Sequence, residues 1–327
     1  MGRQTGGRTA RPAAGRKSRL ASCLCAVLCG LASLRAQTGG GLTVMTWNVE
    51  NYVAENRLVD GAYRPDYPKP EAAKAGLRAA VREAGPDVLA LEEMGPEPYL
   101  EELQRDLAAE GAPYPYRALV AGPDEQRHVA VLSRVPLVRV VPHADVPCRL
   151  EGRTQRVRRG VLEVAVGAED GELTLFVVHL KSRHTEEAGD PGAAGRRGSE
   201  AEGVRDLVLQ RFPDPGEARF LIVGDFNDGP RSRALRALTS RGTADIAAAL
   251  SAADPAGDTW THHYREEASY SQLDYILVSP GLRPRVAGGR AWIHDSPAVR
   301  AASDHRPVLV RLEGAGAKKA GPGEGRP

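Results

Sequence analysis

Six segments of this chain end, or centre, on a carboxylate, amide or imidazole set against a short apolar run. The clearest is Leu221-Ile222-Val223-Gly224-Asp225-Phe226-Asn227-Asp228-Gly229-Pro230. An apolar run this short, bounded by turn residues, reads as a buried strand that stops abruptly. In extended chain, residues two apart face the same way, so Asp225 and Asn227 are expected to project together. One side chain offers a charge and an acceptor, the other an acceptor and a donor. Such a pair suits a metal ion, a water or an anionic oxygen. The same stretch also reads as an Asx-rich turn capping a helix over 231–240, because Asp and Asn after a strand are common turn formers. The joint pattern has to separate the two readings.

Around that stretch the chain alternates irregularly. Leu42 to Val49 is β-rich and is followed by a loop from Asn56 to Pro70, punctuated by Asp60-Gly61 and prolines. Helices are expected over 71–84, where Leu77, Val81 and Ala84 share a face before Gly85-Pro86, and over 98–109. Strands are expected over 87–91, 116–120, 129–133, 137–141, 161–166, 173–178, 271–278 and 307–312. An arginine-rich loop carries Arg149, Arg153, Arg156, Arg158 and Arg159. A Gly- and charge-rich insertion spans 183–199, ahead of a helix over 200–211. Strands outnumber helices, which points to an α+β layered sandwich and not an alternating nucleotide-binding unit. Neither a dinucleotide glycine fingerprint nor a P-loop occurs.

The first 36 residues differ from the rest. A basic stretch, a short apolar stretch from Leu20 to Leu34 and small residues before Gln37 describe an export signal. This leader holds seven of the 44 basic residues and no acid, so the remainder carries 37 basic against 42 acidic, a net of −5. The alkaline whole-chain balance therefore says nothing about nucleic-acid binding by a processed chain. Cys23, Cys25 and Cys29 leave with the leader, and Cys148 alone stays, which excludes an intrachain disulfide or a cysteine metal site. One large domain is expected over 40–313, with a Gly/Ala/Lys/Pro tail over 314–327 read as disordered.

The polar termini are Asn48, Glu93, His179, Asp225 with Asn227, Asp274, and Asp304 with His305. Singly, each has an ordinary structural explanation. Asp274 is the least ordinary, since a carboxylate flanked by Leu273 and Tyr275-Ile276-Leu277 must be paired if buried. Taken in order, Thr46-Trp47-Asn48, Leu91-Glu92-Glu93-Met94, Val178-His179-Leu180, Gly224-Asp225-Phe226-Asn227, Leu273-Asp274-Tyr275 and Ser303-Asp304-His305-Arg306-Pro307 resemble the endonuclease/exonuclease/phosphatase superfamily. The matching pieces lie between residues 42 and 312. One departs from the family pattern: the second motif is usually Gln-Glu and here reads Glu92-Glu93, so Glu92 either attracts a second cation or faces away.

The resemblance implies a four-layered αββα sandwich of two mixed sheets with outer helices, and a phosphate-ester hydrolase that needs a divalent cation. By the same resemblance, Asn48, Glu93 and Asp304 would bind magnesium, with manganese or calcium as alternatives. His305, oriented by Asp274, would take a proton from water, and Asp225 would orient that water. Asn227 would donate to a nonbridging oxygen, His179 would contact the phosphate or the leaving group, and Arg159 would contact the phosphate. Nucleic acid is the first substrate class, with the 149–159 loop, Lys181, Arg183, Arg196 and Arg197 as a basic rim. A phosphomonoester or a phospholipid headgroup is second, but a membrane-acting enzyme calls for an exposed aromatic hairpin, and none is visible in the sequence. A binding module that has lost catalysis is the third reading, and it calls for a broken motif where all are filled. A monomer without a stable protein partner, and without membrane insertion after processing, is the default expectation.

Overall fold

The computed structural model describes residues 41–168, 171–185 and 189–314. The expected leader and nearly all of the expected tail lie outside them. In chain order the strands are β1 (Gly41–Tyr52), β2 (Glu55–Val59), β3 (Ala62–Tyr67), β4 (Val88–Met94), β5 (Tyr116–Val120), β6 (His128–Ser133), β7 (Leu137–His143), β8 (Pro147–Leu150), β9 (Arg153–Arg156), β10 (Val161–Ala168), β11 (Gly171–His179) and β12 (Phe220–Asp225). They continue with β13 (Ser240–Arg241), β14 (Ala244–Asp245), β15 (Ala248–Ala249), β16 (His262–Tyr264), β17 (Ser269–Ser271), β18 (Asp274–Val278), β19 (Trp292–Ile293) and β20 (Val308–Glu313). The α-helices are α1 (Glu71–Ala84), α2 (Glu97–Ala109), α3 (Ala194–Arg211), α4 (Arg233–Thr239) and α5 (Pro297–Ala302).

Two six-stranded sheets form the body, ordered β19-β20-β1-β4-β6-β5 and β15-β18-β12-β11-β10-β7. Each has a single parallel pair at its centre, β1 with β4 and β11 with β12, flanked by antiparallel neighbours. Strand residues alternate between two cores, as a period of two requires. Val44, Val88, Ala90, Leu175, Val177, Leu221, Val223, Ile276 and Val308 fill the layer between the sheets. Their neighbours Met45, Trp47, Leu89 and Leu91 pack outward with Leu77, Val81, Leu100, Leu103, Leu107 and Val299 of α1, α2 and α5. Phe176, Phe220 and Ile222 pack outward with Ala201, Val204, Val208 and Leu235 of α3 and α4. Helices therefore cover both outer faces, and the molecule is the expected α+β sandwich of four layers. Gly224 is needed where β12 meets β11. Its φ is +139°, and a Cβ there would come within 1.9 Å of the Val178 carbonyl oxygen.

Three expectations change. The loop 56–70 is mostly the hairpin β2–β3, closed by Asp60 and Gly61, both at positive φ (52° and 76°). Two left-handed residues match the twist of antiparallel strands, so Asp-Gly was the turn itself, not general punctuation. The arginine-rich loop likewise contains the hairpin β8–β9, closed by Glu151 and Gly152 with φ of 50° and 76°. The insertion 183–199 is partly helical: α3 starts at Ala194, and Arg197 and Glu200 are buried within it. Charged side chains hid this face in the sequence. They are buried because Glu200 accepts from the Arg158 and Lys181 amides, and Arg197 lies 3.2 Å from Asp228.

The segment before β20 is pinned by Arg306, 2% exposed. Its guanidinium lies 2.7 Å from Asp254 and 3.4 Å from Asp295, donates to the Trp260 carbonyl, and stacks 3.3 Å from the centre of the Trp260 ring. Its backbone amide donates to the Thr261 carbonyl at 2.6 Å. Removing one partner of a buried ion pair leaves the other uncompensated. Arg306→Ala should therefore lose about 3–5 kcal/mol of stability in urea denaturation; a loss below about 1 kcal/mol would sink the clamp.

Candidate active site

The inter-sheet layer is apolar along most of its length and polar at one end. Counting by twos from its apolar members reaches Asn48 from Val44, Glu92 from Val88 and Ala90, His179 from Leu175 and Val177, Asp225 from Leu221 and Val223, and Asp274 from Val278 and Ile276. The strand period that buries valines and leucines thus delivers polar groups from five strands to one buried place. All five are at most 1% exposed.

Their contacts form a network. Asn48 Nδ2 donates to Asp225 Oδ2 at 3.0 Å. His179 Nε2 lies 3.5 Å from Asp225 Oδ2 and 3.9 Å from Glu93 Oε1. His305 Nδ1 pairs with Asp274 Oδ2 at 2.8 Å, and its Nε2 lies 3.9 Å from Asp225 Oδ2. Ser303 Oγ donates to the Asn48 carbonyl and accepts from the His305 amide, while Trp47 Nε1 donates to the His305 carbonyl. Thr261 Oγ1 accepts from the amides of Leu273 and Asp274. Glu93, Asp225 and His305, more than two hundred positions apart at the extremes, thus meet in one cluster.

Local backbone turns aim the remaining groups. Glu50, Asn51, Glu93 and Asn227 are all left-handed, with φ of 47°, 54°, 60° and 53°. Such conformations are costly for residues with a Cβ and persist where surroundings enforce them. The turn at Glu93 takes it out of the strand alternation, and Glu93 Oε2 accepts from the Asn51 amide at 3.0 Å. Asn227 reaches Asp225 through an Asx turn and not by extended alternation, because β12 ends at Asp225. Its amide N donates to Asp225 Oδ1, and its side-chain nitrogen donates to both Asp225 Oδ2 and the Leu180 carbonyl. Both side-chain protons are taken, so Asn227 fixes Asp225 here and does not present the outward donor expected from sequence.

Burial governs the proton affinities. Burial and the charge of Asp274 push the Asp225 carboxyl up to about 7, with His305 opposing. Burial, then Arg159 and His305, hold His179 well below the ordinary histidine value, so its ring is neutral. Burial disfavours charge on His305, but the charge and hydrogen bond of Asp274, with Asp225 and Asp304 behind, raise its pKa well above the ordinary value. Glu92 neither faces away nor joins the solvent-accessible acids. It is fully buried, accepts from Thr46 Oγ1 at 2.8 Å, and is pushed well above the carboxylate range by burial and by Asp274. A neutral Glu92 does not attract a second cation.

Sequence reasoning missed Glu50, Lys69 and His262. Burial and the Asp304 charge push the Glu50 carboxyl up, Glu93 adds to the effect, and Lys69 and Arg265 oppose it. Lys69, 4% exposed, donates to the Glu50 carbonyl at 2.9 Å. His262 Nε2 is 3.6 Å from Asp304 Oδ2, and its ring centre is 4.5 Å from that of His305. Nothing local in Thr261-His262-His263-Tyr264 marked His262 out from its neighbour His263. Three carboxylates, Glu50, Glu93 and Asp304, thus share one neighbourhood with oxygen donors and partial access to solvent. Both ring nitrogens of His179 and Asp274 Oδ1 are buried without a hydrogen-bond partner. Buried groups of this kind normally have one. The donor set therefore fits a hard divalent cation and a further oxygen ligand.

Arg159 is buried behind His179, 3.2 Å from Asp124 and donating to the Leu180 carbonyl. The expected basic rim is mostly neutralised: Arg197 pairs with Asp228, Arg196 with Glu200, Arg156 with Asp145, and Arg158 with Asp124. Arg183 is exposed and, among the described residues, donates to the Asn227 carbonyl. Two exposed hairpins contradict the expectation of no exposed aromatic hairpin. β2–β3 presents Leu58 and Tyr63, 76% and 68% exposed and directly paired, and β16–β17 presents Tyr264 and Tyr270. Aromatic scarcity hid them, since only two or three such residues are enough for a hairpin tip. Arg265, in the turn of the second, lies 3.5 Å from Glu50 near the base of the first.

A family model described as Endonuclease/Exonuclease/phosphatase family matches residues 45–305. No curated protein matches the chain by sequence. Among solved structures, the human Nocturnin catalytic domain with bound sulfate is 16% identical with a TM-score of 0.58, covering 84% of this chain and 94% of its own. Sphingomyelinase C from Streptomyces griseocarneus is 20% identical with a TM-score of 0.57, covering 84% and 99%. An endonuclease/exonuclease/phosphatase from Bacteroides vulgatus is 15% identical with a TM-score of 0.56, covering 84% and 98%. These likenesses concern the fold. With most of its length matched by the family model, the chain belongs to the Endonuclease/Exonuclease/phosphatase family.

Proposed function

We propose that this protein is an exported, metal-dependent phosphoester hydrolase that cleaves phosphodiesters, with nucleic acid as the first substrate class. The observation that carries the reading is the meeting of Glu93, His179, Asp225 and the Asp274–His305 pair within 3.9 Å steps at one end of the core. Asn48, Glu93 and Asp304 would hold magnesium, or manganese or calcium, with Glu50 adding negative charge nearby. A bound divalent cation supplies electrostatic relief to the phosphate oxygens and to the leaving oxygen.

The protein's own groups do the rest. Asp274 fixes the His305 tautomer through Nδ1, which leaves Nε2 to accept a proton from water. Asp225, held by Asn48 and Asn227, orients that water and can exchange a proton near neutrality. Neutral His179 donates from a fixed position without charge of its own, to a phosphate oxygen or the leaving group. Arg159 adds positive charge from behind. A phospholipid headgroup is the second reading, favoured by the Leu58–Tyr63 hairpin beside the site, since an exposed apolar tip suits an interface.

Three outcomes are expected. Bis-p-nitrophenyl phosphate, a single-stranded oligonucleotide and phosphatidylcholine vesicles should be compared with magnesium and after EDTA; turnover that survives chelation refutes metal dependence, and release from vesicles alone favours the lipid reading. His305→Ala should lose at least about 100-fold in kcat, and a variant near wild-type speed removes His305 as the base. Mass spectrometry of protein purified from its native host should find a start near Gln37; a soluble chain that keeps Met1 contradicts export.

A further inference from the structure

His262 is the least explained group beside the site. The backbone sets it directly opposite His305: the two residues form an antiparallel bridge, the His263 amide donates to the Asp304 carbonyl at 2.9 Å, and the Arg306 amide donates to the Thr261 carbonyl at 2.6 Å. Directly opposed residues project to the same face. Both rings consequently share one side of the ladder, with centres 4.5 Å apart. Ligand atoms of His262, Asp304 and His305 all lie within 4.8 Å of one another. His262 Nε2 and Asp304 Oδ2 are 3.6 Å apart. Two ligands on a common tetrahedral ion at about 2.0–2.1 Å stand roughly 3.3–3.4 Å from each other, so closing this pair on an ion needs little movement.

The shell around the three groups is also that of a metal site. A ligating histidine usually gives its other ring nitrogen to a carboxylate, which fixes its orientation. His305 does so, through Nδ1 to Asp274 Oδ2 at 2.8 Å, and its Nε2 is left over. Trp47, Ser303 and the Arg306 clamp hold the backbone of His305 in place. Side-chain exposures of 19% for His262 and 27% for Asp304 leave an entry path. Two imidazoles and one carboxylate suit a borderline ion, zinc above all, whereas magnesium prefers oxygen ligands.

We infer that His262, Asp304 and His305 form a second cation site selective for zinc over magnesium, and that zinc there shuts the enzyme off by occupying His305 Nε2. The inference rests on His305 being the base in the reading above, but the site itself does not. Zinc would take the His305 Nε2 lone pair, displacing to water any proton held there, with no change of oxidation state. The competing group of Asp225, Asp274 and His305 shares His305 but lacks His262, which makes His262 the discriminating residue.

The test uses the full chain, stripped of metals and held in excess magnesium. Calorimetric titration with zinc should show one ion bound by the wild type. His262→Ala and His262→Gln should each weaken that binding by at least about tenfold, with folding confirmed for both by circular dichroism. His263→Ala, whose ring stacks on Tyr270 instead, should bind zinc like the wild type. Cobalt(II) in place of zinc should give visible absorption that both His262 variants weaken. Equal zinc binding in both His262 variants, equal loss in His263→Ala, or no binding by the wild type overturns the site. The ratio of turnover with and without zinc, read within each protein, should fall for the wild type and stay near one for His262→Ala. A wild type that binds zinc yet keeps full turnover overturns the shut-off. Because binding is read without turnover, a protein that binds zinc but hydrolyses nothing refutes the hydrolase reading and leaves the cation site standing.

Discussion

Asp225, Asp274 and Glu92 are each no more than 1% exposed, and all three lie in the same low-dielectric end of the layer between the sheets. A carboxylate cannot stay ionised in such a place unless another group holds its charge. The surrounding structure is arranged around that requirement. Asp274 is held by His305, Asp225 by Asn48, Asn227 and the nearby imidazoles, and Glu92 by burial in its neutral form with one hydrogen bond from Thr46. Each carboxyl group meets the problem differently, and burial with the charge of Asp274 pushes both Asp225 and Glu92 upward.

The same crowding explains the strain. Left-handed Glu50, Asn51, Glu93 and Asn227 are conformations the chain would not adopt freely, and they cluster where strand ends must turn side chains inward. Their cost is offset by rigid supports behind the site. Arg306 stacks on Trp260 and bridges to Asp254 and Asp295, Ser303 ties the last segment to Asn48, and Thr261 holds the start of β18. This also sets His262 and His305 face to face, a relation that the spacing in sequence does not reveal.

The charged surface is less one-sided than a residue count suggests. Arginines that looked like a basic rim are paired with Asp124, Asp145, Asp228 and Glu200. Exposed apolar side chains appear instead on two hairpins, and Arg265 in the turn of the second lies 3.5 Å from Glu50 of β1.

Strand ends, and the residue types on them, were legible in the sequence because period-two burial is a local rule. Leu221 to Asp225 announces both a buried strand and the polar group at its end. Helix α1 was readable for the same kind of reason, with a 3.6-residue stripe and a glycine stop. The hairpins were missed although Asp60-Gly61 carried the signal, since a turn's type depends on what its flanking strands can pair with. The sequence by itself determined that polar groups would lie at the ends of buried strands. Only the tertiary structure decided which of them share a pocket, that Glu92 is buried and neutral, that Asn227 turns back on Asp225, and that His262 faces His305. Those outcomes depend on distances between segments up to some two hundred and fifty positions apart, and burial, charge and hydrogen bonding act through space and not along the chain.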